Sequence, residues 1–198
     1  MMVDPEVFKK SLSSYSIQDS KSWDAWLPLV EEIIVDSEHS LLRAGEDQKY
    51  FYVIKEGLVR YFYTSHQGKE WNKSFFYEGQ VVGSLSAYLT QAPSRYNIQT
   101  LEPSILYRTP IDDLMSAAKD NSVVAQLIEQ ITQIIFLRNE VRESILLTGN
   151  AQERFDWLEQ NEHWLIERKV AQYHLASYLG MDAVSLSRLK GKRAKLNK

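Results

Sequence analysis

VAQYHLASYLGMDAVSLSRLKGKRAKLNK, residues 170–198, is the stretch on which the fold turns. Leu175, Ala176 and Leu179 line one side of a short helix, Gly180 closes it, and Met181-Asp182 turns the chain into a second helix that Asp182 can cap. Ala176 is small where two helices must cross closely, and Gly180 supplies the left-handed residue the turn requires. Val184 or Leu186, with Leu189, forms the buried side of the second helix. This spacing is that of a helix-turn-helix; the bland alternative is an ordinary helical hairpin. Chemistry separates the two. Ser185, Ser187 and Arg188 stand near the start of the second helix, followed by Lys190, Lys192, Arg193, Lys195 and Lys198. A helix that reads a DNA groove needs short polar or arginine side chains for base edges and flanking cations for phosphates. Ser185, Ser187, Arg188, Lys190, Lys192 and Arg193 are therefore the expected contacts to double-stranded DNA.

The charge distribution supports this. Over the whole 198 residues, 23 Lys+Arg face 26 Asp+Glu, a net charge of -3. Residues 1–165 hold 15 basic and 24 acidic side chains, whereas residues 166–198 hold 8 basic and 2 acidic. An acidic body with a basic end points to an anionic partner at that end. An apolar content of 44% provides for a real core, and the absence of cysteine excludes disulfide scaffolds, iron-sulfur clusters and thiol catalysis. No apolar run approaches the ~18 residues of a membrane span, and MMVDPEVFKK lacks a signal-peptide pattern, so the expectation is a soluble cytoplasmic protein.

Upstream, residues 122–148 contain neither Gly nor Pro. Val124, Leu127, Ile131, Ile134, Arg138, Val141 and Ile145 step by three and four, a coiled-coil period with one arginine in the seam. This helix either packs on its own barrel or pairs with a second copy, and its length favours a homodimer through residues 121–148. Residues 151–162 form another short helix, and the joint lies near Thr148-Gly149-Asn150. Between residues 40 and 109, period-two runs such as KYFYVI, LVRYFYT, RYNIQT and SILYRT predict short antiparallel strands, with Gly57 in a tight hairpin turn and His66-Gln67-Gly68-Lys69 in another. Pro110 suits the first position of the helix that follows. Residues 5–38 read as helical, with Trp23, Trp26, Leu27, Val30, Ile33 and Ile34 on one face and Asp19 or Ser20 as cap.

ERFDWLEQNEHWL (153–165) followed by HLASYLGMDAVSLSRL (174–189) resembles the C-terminal part of Crp/Fnr-type transcription regulators, in particular those with a short DNA-binding domain. GEDQKYFYVIKEGLVRYFY (45–63) resembles the opening strands of their cyclic-nucleotide-binding-like barrel, and the order of elements agrees over nearly the whole chain. The resemblance implies an α+β chain. An N-terminal helix and antiparallel β jelly-roll barrel occupy residues 1–120, a dimerisation helix 121–148, and an all-α helix-turn-helix domain 149–198. It further implies a transcription regulator that is not an enzyme, with duplex DNA, a second copy of itself and RNA polymerase as partners. Ser185 and Arg188 align with contacting positions of the family. Val184 falls where many relatives have glutamate, so it either offers a methyl contact to thymine or packs. Ala183 falls where many have proline or a polar residue, so known operators do not carry over. The β-hairpin wing of many relatives has no counterpart, which leaves phosphate contacts to the basic tail.

In nucleotide-binding relatives a Gly-Glu-Leu triplet holds the ribose and an Arg-Ser or Arg-Thr pair the phosphate. The matching positions are Gly83, Ser84 and Leu85, then Arg95 and Tyr96. Serine lacks the charged acceptor, and tyrosine fills the space of the phosphate. The expectation is no cofactor and no cyclic AMP, with another small ligand or an empty role for the pocket left open. Haem has His39, His66, His163 and His174 as candidate ligands, none in a telling motif, and no metal site is expected. Two other readings stand beside this one: a ligand-binding or protein-interaction barrel without DNA binding, and a cupin-like enzyme, which lacks the histidine cluster it needs.

Overall fold

Aromatic and β-branched residues at alternating positions make the middle of the chain a β structure. The computed structural model describes residues 3–15, 26–120 and 122–196. Its strands are β1 (Glu31–Val35), β2 (Ser40–Leu42), β3 (Tyr50–Glu56), β4 (Val59–Thr64), β5 (Glu70–Phe76), β6 (Val81–Val82), β7 (Asn97–Thr100) and β8 (Ser104–Pro110). They form two four-stranded sheets, in the orders β1-β8-β3-β6 and β2-β7-β4-β5. The chain passes between the sheets repeatedly, as in a jelly roll, and the sheets do not close into a barrel.

That topology corrects one expected hairpin. β3 and β4 lie in different sheets, so Gly57 turns a corner between sheets. Its φ of 121° and the Ser104 side chain where a Cβ would stand require glycine, and its N–H donates to the Glu78 carboxylate at 2.9 Å. The turn at Ser65–Lys69 does join neighbours of one sheet.

The expected helix over residues 5–38 is also corrected. Helix α1 covers only Pro5–Ser11, capped by the Asp4 carboxylate, and a single 3-10 turn spans Leu27–Leu29. Ile33, Ile34 and Val35 belong to β1, where Ile33 packs inward and Ile34 is exposed. Three β-branched residues in succession favour the strand once β8 is there to pair with. Trp23, Asp19 and Ser20 lie outside the described residues.

By its contacts the chain divides into two compact units, Met1–Tyr63 with Ser74–Gln133 and Thr64–Lys73 with Ile134–Lys198. The first has two apolar clusters. In one, the Phe8 ring meets Trp26 and Tyr107 edge-on at centroid distances of 5.0 and 5.2 Å, beside Phe51, Ile111, Leu114, Val124 and Leu127. In the other, Ile54, Val59, Tyr61, Phe76, Tyr96, Ile98 and Leu106 fill the space between strands. This unit also holds helices α2 (Leu85–Thr90) and α3 (Ile111–Asp120), the latter starting one residue after Pro110, which ends β8.

Helix α4, Ser122–Thr148, runs through both units. Val124 and Leu127, near its start, are fully buried in the first unit's own core, so they leave the expected intermolecular seam. From Ile134 onward the helix exposes Ile134, Phe136, Leu137, Val141 and Leu147, while Arg138 is half-buried. The second unit adds α5 (Ala151–Asn161), α6 (Trp164–Glu167), α7 (Gln172–Tyr178) and α8 (Ala183–Leu196). α5 starts in a capping box: Asn150 accepts from the N–H groups of Gln152 and Glu153, and Glu153 accepts from that of Asn150 at 2.7 Å. Such a cap is worth about 1 kcal/mol.

Candidate nucleic-acid interface

Helices α7 and α8 are held as a rigid pair by residues the sequence pattern singles out. Leu175, Ala176, Leu179 and Leu186 are buried, each leucine contributing roughly 1.5–3 kcal/mol. Gly180 sits at φ 65° in the turn. Asp182 caps α8, accepting from the Ser185 N–H and from the Ser185 hydroxyl, both at 2.8 Å. Those bonds hold the Asp182 carboxyl below the usual carboxylate range. Gln172 donates to the Ala183 carbonyl at 3.0 Å, which pins the start of α7 to the start of α8.

The supports around this pair come from polar residues that the apolar spacing does not single out. Arg154 donates to the carbonyls of Leu146 at 2.8 Å, Gly149 at 2.9 Å and Leu179 at 3.2 Å, tying together three helix ends. Arg142 lies over the Tyr178 ring and donates to the carbonyls of Asn72 and Tyr178. Asn72, on β5, donates its amide to the His174 carbonyl at 2.9 Å and faces His174 Nδ1 at 3.1 Å. An amide nitrogen only donates, so this ring nitrogen accepts. His174 is thus a buried structural residue. The Ser177 hydroxyl accepts from the Asn72 N–H and donates to the Glu70 carbonyl. A single arginine or asparagine in sequence carries no periodicity, so these contacts had no signal to find them by.

The six expected DNA contacts separate into groups. Ser187, Arg188 and Lys192 are exposed, and Lys195 with them. Lys190 is half-buried. Ser185 gives its hydroxyl to Asp182, and Arg193 is bound to Asp156 at 3.2 Å and Glu159 at 2.9 Å, joining α8 to α5. Val184, the residue with two open readings, does not pack: it is 60% exposed, whereas Leu186 is fully buried. Val184, Ser187, Arg188, Gly191 and Lys195 then step along one outward face at helical spacing.

The five expected effector residues lie in the first unit. Ser84 is fully buried and caps α2 by accepting from the Ala87 N–H. The Tyr61 hydroxyl bonds both the N–H and the carbonyl of Gly83, at 2.6 and 3.0 Å, and a Cβ on Gly83 would collide with the Phe51 ring. The Tyr96 ring stacks on Tyr61 at 5.0 Å. Burial pushes the Tyr96 phenol up, with hydrogen bonds to Ser84 and Ser86 pulling the other way. Leu85 packs against the Phe8 cluster, and Arg95 is exposed.

Comparison with known proteins places these features in context. The profile of the cyclic nucleotide-binding domain matches residues 33–121. The "Fumarate and nitrate reduction regulatory protein" of Yersinia pestis is 24% identical over 173 residues, covering 82% of this chain and 68% of that protein. The solved structure of the c-di-GMP responsive global regulator CLP of Xanthomonas campestris superposes with a TM-score of 0.75 at 15% identity, over 90% of this chain and 93% of that one. A putative transcriptional regulator of the crp/fnr family from Eubacterium rectale superposes at 0.71 and 14% identity, over 90% and 85%. In sequence and in fold the chain thus resembles regulators of the Crp/Fnr type. The proteins it resembles are regulators, not enzymes.

In this chain a cyclic nucleotide is a poor fit. The side chain that should accept a ribose hydroxyl is the uncharged, buried Ser84, and the Tyr61–Tyr96 stack with its hydroxyls turned to Gly83, Ser84 and Ser86 fills the interior. Arg95, exposed, does not turn inward to a phosphate. Among the described residues no group of three or more His, Asp or Glu stands ready to hold a metal ion, and no helix is long and apolar enough to cross a membrane.

Proposed function

We propose that the chain is a homodimeric, sequence-specific DNA-binding transcription regulator of the cytoplasm whose sensor works without a cyclic nucleotide. One observation carries the reading: a helix-turn-helix pair, rigidly capped and packed, turns Ser187, Arg188, Lys192 and Lys195 outward on its second helix. Cations of this kind neutralise phosphates, and an arginine on such a face reads base edges. The exposed stripe Ile134, Leu137 and Val141 on α4, stepping by three and four, suits pairing with a second copy, which would set two recognition helices at successive turns of the duplex. RNA polymerase is then the partner through which binding acts on transcription.

A salt titration of duplex binding tests the reading. Binding that weakens steeply and linearly in log–log form, and that is weakened in Arg188→Ala while Arg193→Gln keeps it, supports the proposal. Affinity indifferent to salt, or unchanged in Arg188→Ala, defeats it. Calorimetry with cyclic AMP and cyclic GMP is expected to give no heat of binding, and a micromolar dissociation constant would overturn the sensor half of the reading.

A further inference from the structure

We infer that the first turn of α8 reads a thymine, through its C5 methyl group, and that Val184 makes the contact. The inference rests on the DNA-binding reading above and names what that same helix recognises.

Val184 is the first residue of the outward face that continues through Ser187, Arg188, Gly191 and Lys195. At 60% exposure it takes no part in the core, which Leu186 supplies from the opposite side. A β-branched residue is also no asset to a helix by propensity. Neither packing nor local structure accounts for a valine at this position. Its surroundings narrow the partner further. The polar groups of the same turn are already engaged: the Ser185 hydroxyl and N–H both go to Asp182, whose lowered pKa keeps it a charged acceptor turned to its own helix. The other exposed side chain of that turn is the methyl of Ala183. With the Ser185 hydroxyl proton given to Asp182, the outward side chains of the first turn, Ala183 and Val184, offer methyl groups.

An apolar residue exposed on a surface can also mark a protein partner, but the face is flanked by Arg188, Lys192 and Lys195, all exposed, which complements a polyanion. In the major groove the base edges present donors, acceptors and a single apolar group, the C5 methyl of thymine. The N-terminal residues of a recognition helix are those that reach the base edges. Gly191, with open space where its Cβ would stand, keeps the same face low further along and lets the helix lie close to the duplex.

The experiment uses the full chain and a duplex chosen by selection from a random pool. Each thymine of the selected site is replaced in turn by deoxyuridine, which removes the methyl group and nothing else. Wild-type protein is expected to lose about fourfold in affinity at one thymine per half-site, the worth of one buried methyl group, and to be indifferent at the others. Val184→Ala, in an exposed position and with an unchanged melting temperature, is expected to bind the parent site more weakly and to lose its sensitivity at that thymine. If no thymine shows the loss, or if the loss persists in Val184→Ala, the inference is overturned while DNA binding itself stands. If no duplex is bound in a salt-dependent way, the DNA-binding reading has failed and this inference falls with it.

Discussion

Arg188 and Arg193 stand on the same helix, both cations in the basic end, and should fail in opposite ways. Arg188 is exposed. Arg193 reaches Glu159 at 2.9 Å and Asp156 at 3.2 Å, with side-chain exposures of 41% for the arginine, 23% for Glu159 and 33% for Asp156. At such exposure solvent screens each pair to roughly 0.2–1 kcal/mol, so Arg193→Gln is expected to cost about 1 kcal/mol of stability. For a chain of this length that is a fall of about 2–4 °C in melting temperature. Because its charge is already matched within the protein, the slope of log affinity against log salt should stay the same. Arg188→Gln should leave melting unchanged and weaken binding to a selected duplex by about 1–3 kcal/mol. Thermal denaturation and fluorescence anisotropy across a salt series measure both quantities on each variant. If Arg193→Gln flattens the salt slope by about one phosphate contact with no change in melting, the assignment of Arg193 to α5 is wrong. If Arg188→Gln melts lower and binds normally, its assignment to the duplex is wrong.

Three further expectations concern the scaffold. Val141→Glu should shift the protein from dimer to monomer in sedimentation velocity while keeping its fold, whereas Val124→Glu, in the core, should unfold it; a Val141→Glu protein that stays dimeric would place the interface elsewhere on the chain. Gly57→Ala should cost more than ~1 kcal/mol in urea unfolding, since a positive φ and the Ser104 side chain both oppose a Cβ; an unchanged midpoint would refute the corner geometry. Burial, with Arg138 and Arg142 nearby, brings the Lys73 ammonium down to about 8. The unfolded chain then binds more protons between pH 8 and about 10.5, so stability from this group rises with pH over that window, and Lys73→Met should stabilise at pH 7 by up to ~3 kcal/mol with the gain fading above pH 10. A gain independent of pH would show that packing, not charge, is responsible.

The helix-turn-helix was legible because its signals are local. Gly180, Asp182, Leu175, Leu179 and Leu186 act within a turn or two of their own positions, and the structure uses each as the spacing implied, while Leu189 is only half-buried. The long helix was legible for the same reason, an unbroken run ended by Gly149. The residues before the sheet were misread because Ile33 and Ile34 fit helical spacing as well as strand alternation, and only β8, more than 70 positions away, decides between them. The corner at Gly57 looked like a hairpin because a glycine between two strands is the same in sequence whether they pair with each other or not. Within the candidate interface, Arg193 could not be told from Arg188 by charge; Asp156 and Glu159, on a different helix, make the distinction.

The tip of the β4–β5 hairpin, residues 64–73, groups with the C-terminal helices rather than with the strands it extends. Asn72 answers the backbone and ring of His174, and Ser177 bridges the Asn72 N–H and the Glu70 carbonyl. The second unit is therefore discontinuous in the gene, assembled from two stretches about 60 codons apart. A fragment beginning near residue 149 leaves behind Asn72 and Arg142, and with them the acceptors and donors that α7 requires. Moving the α7–α8 pair onto another protein thus calls for moving both stretches together; a transplant of the C-terminal segment alone would carry the pair without the bracket that holds it.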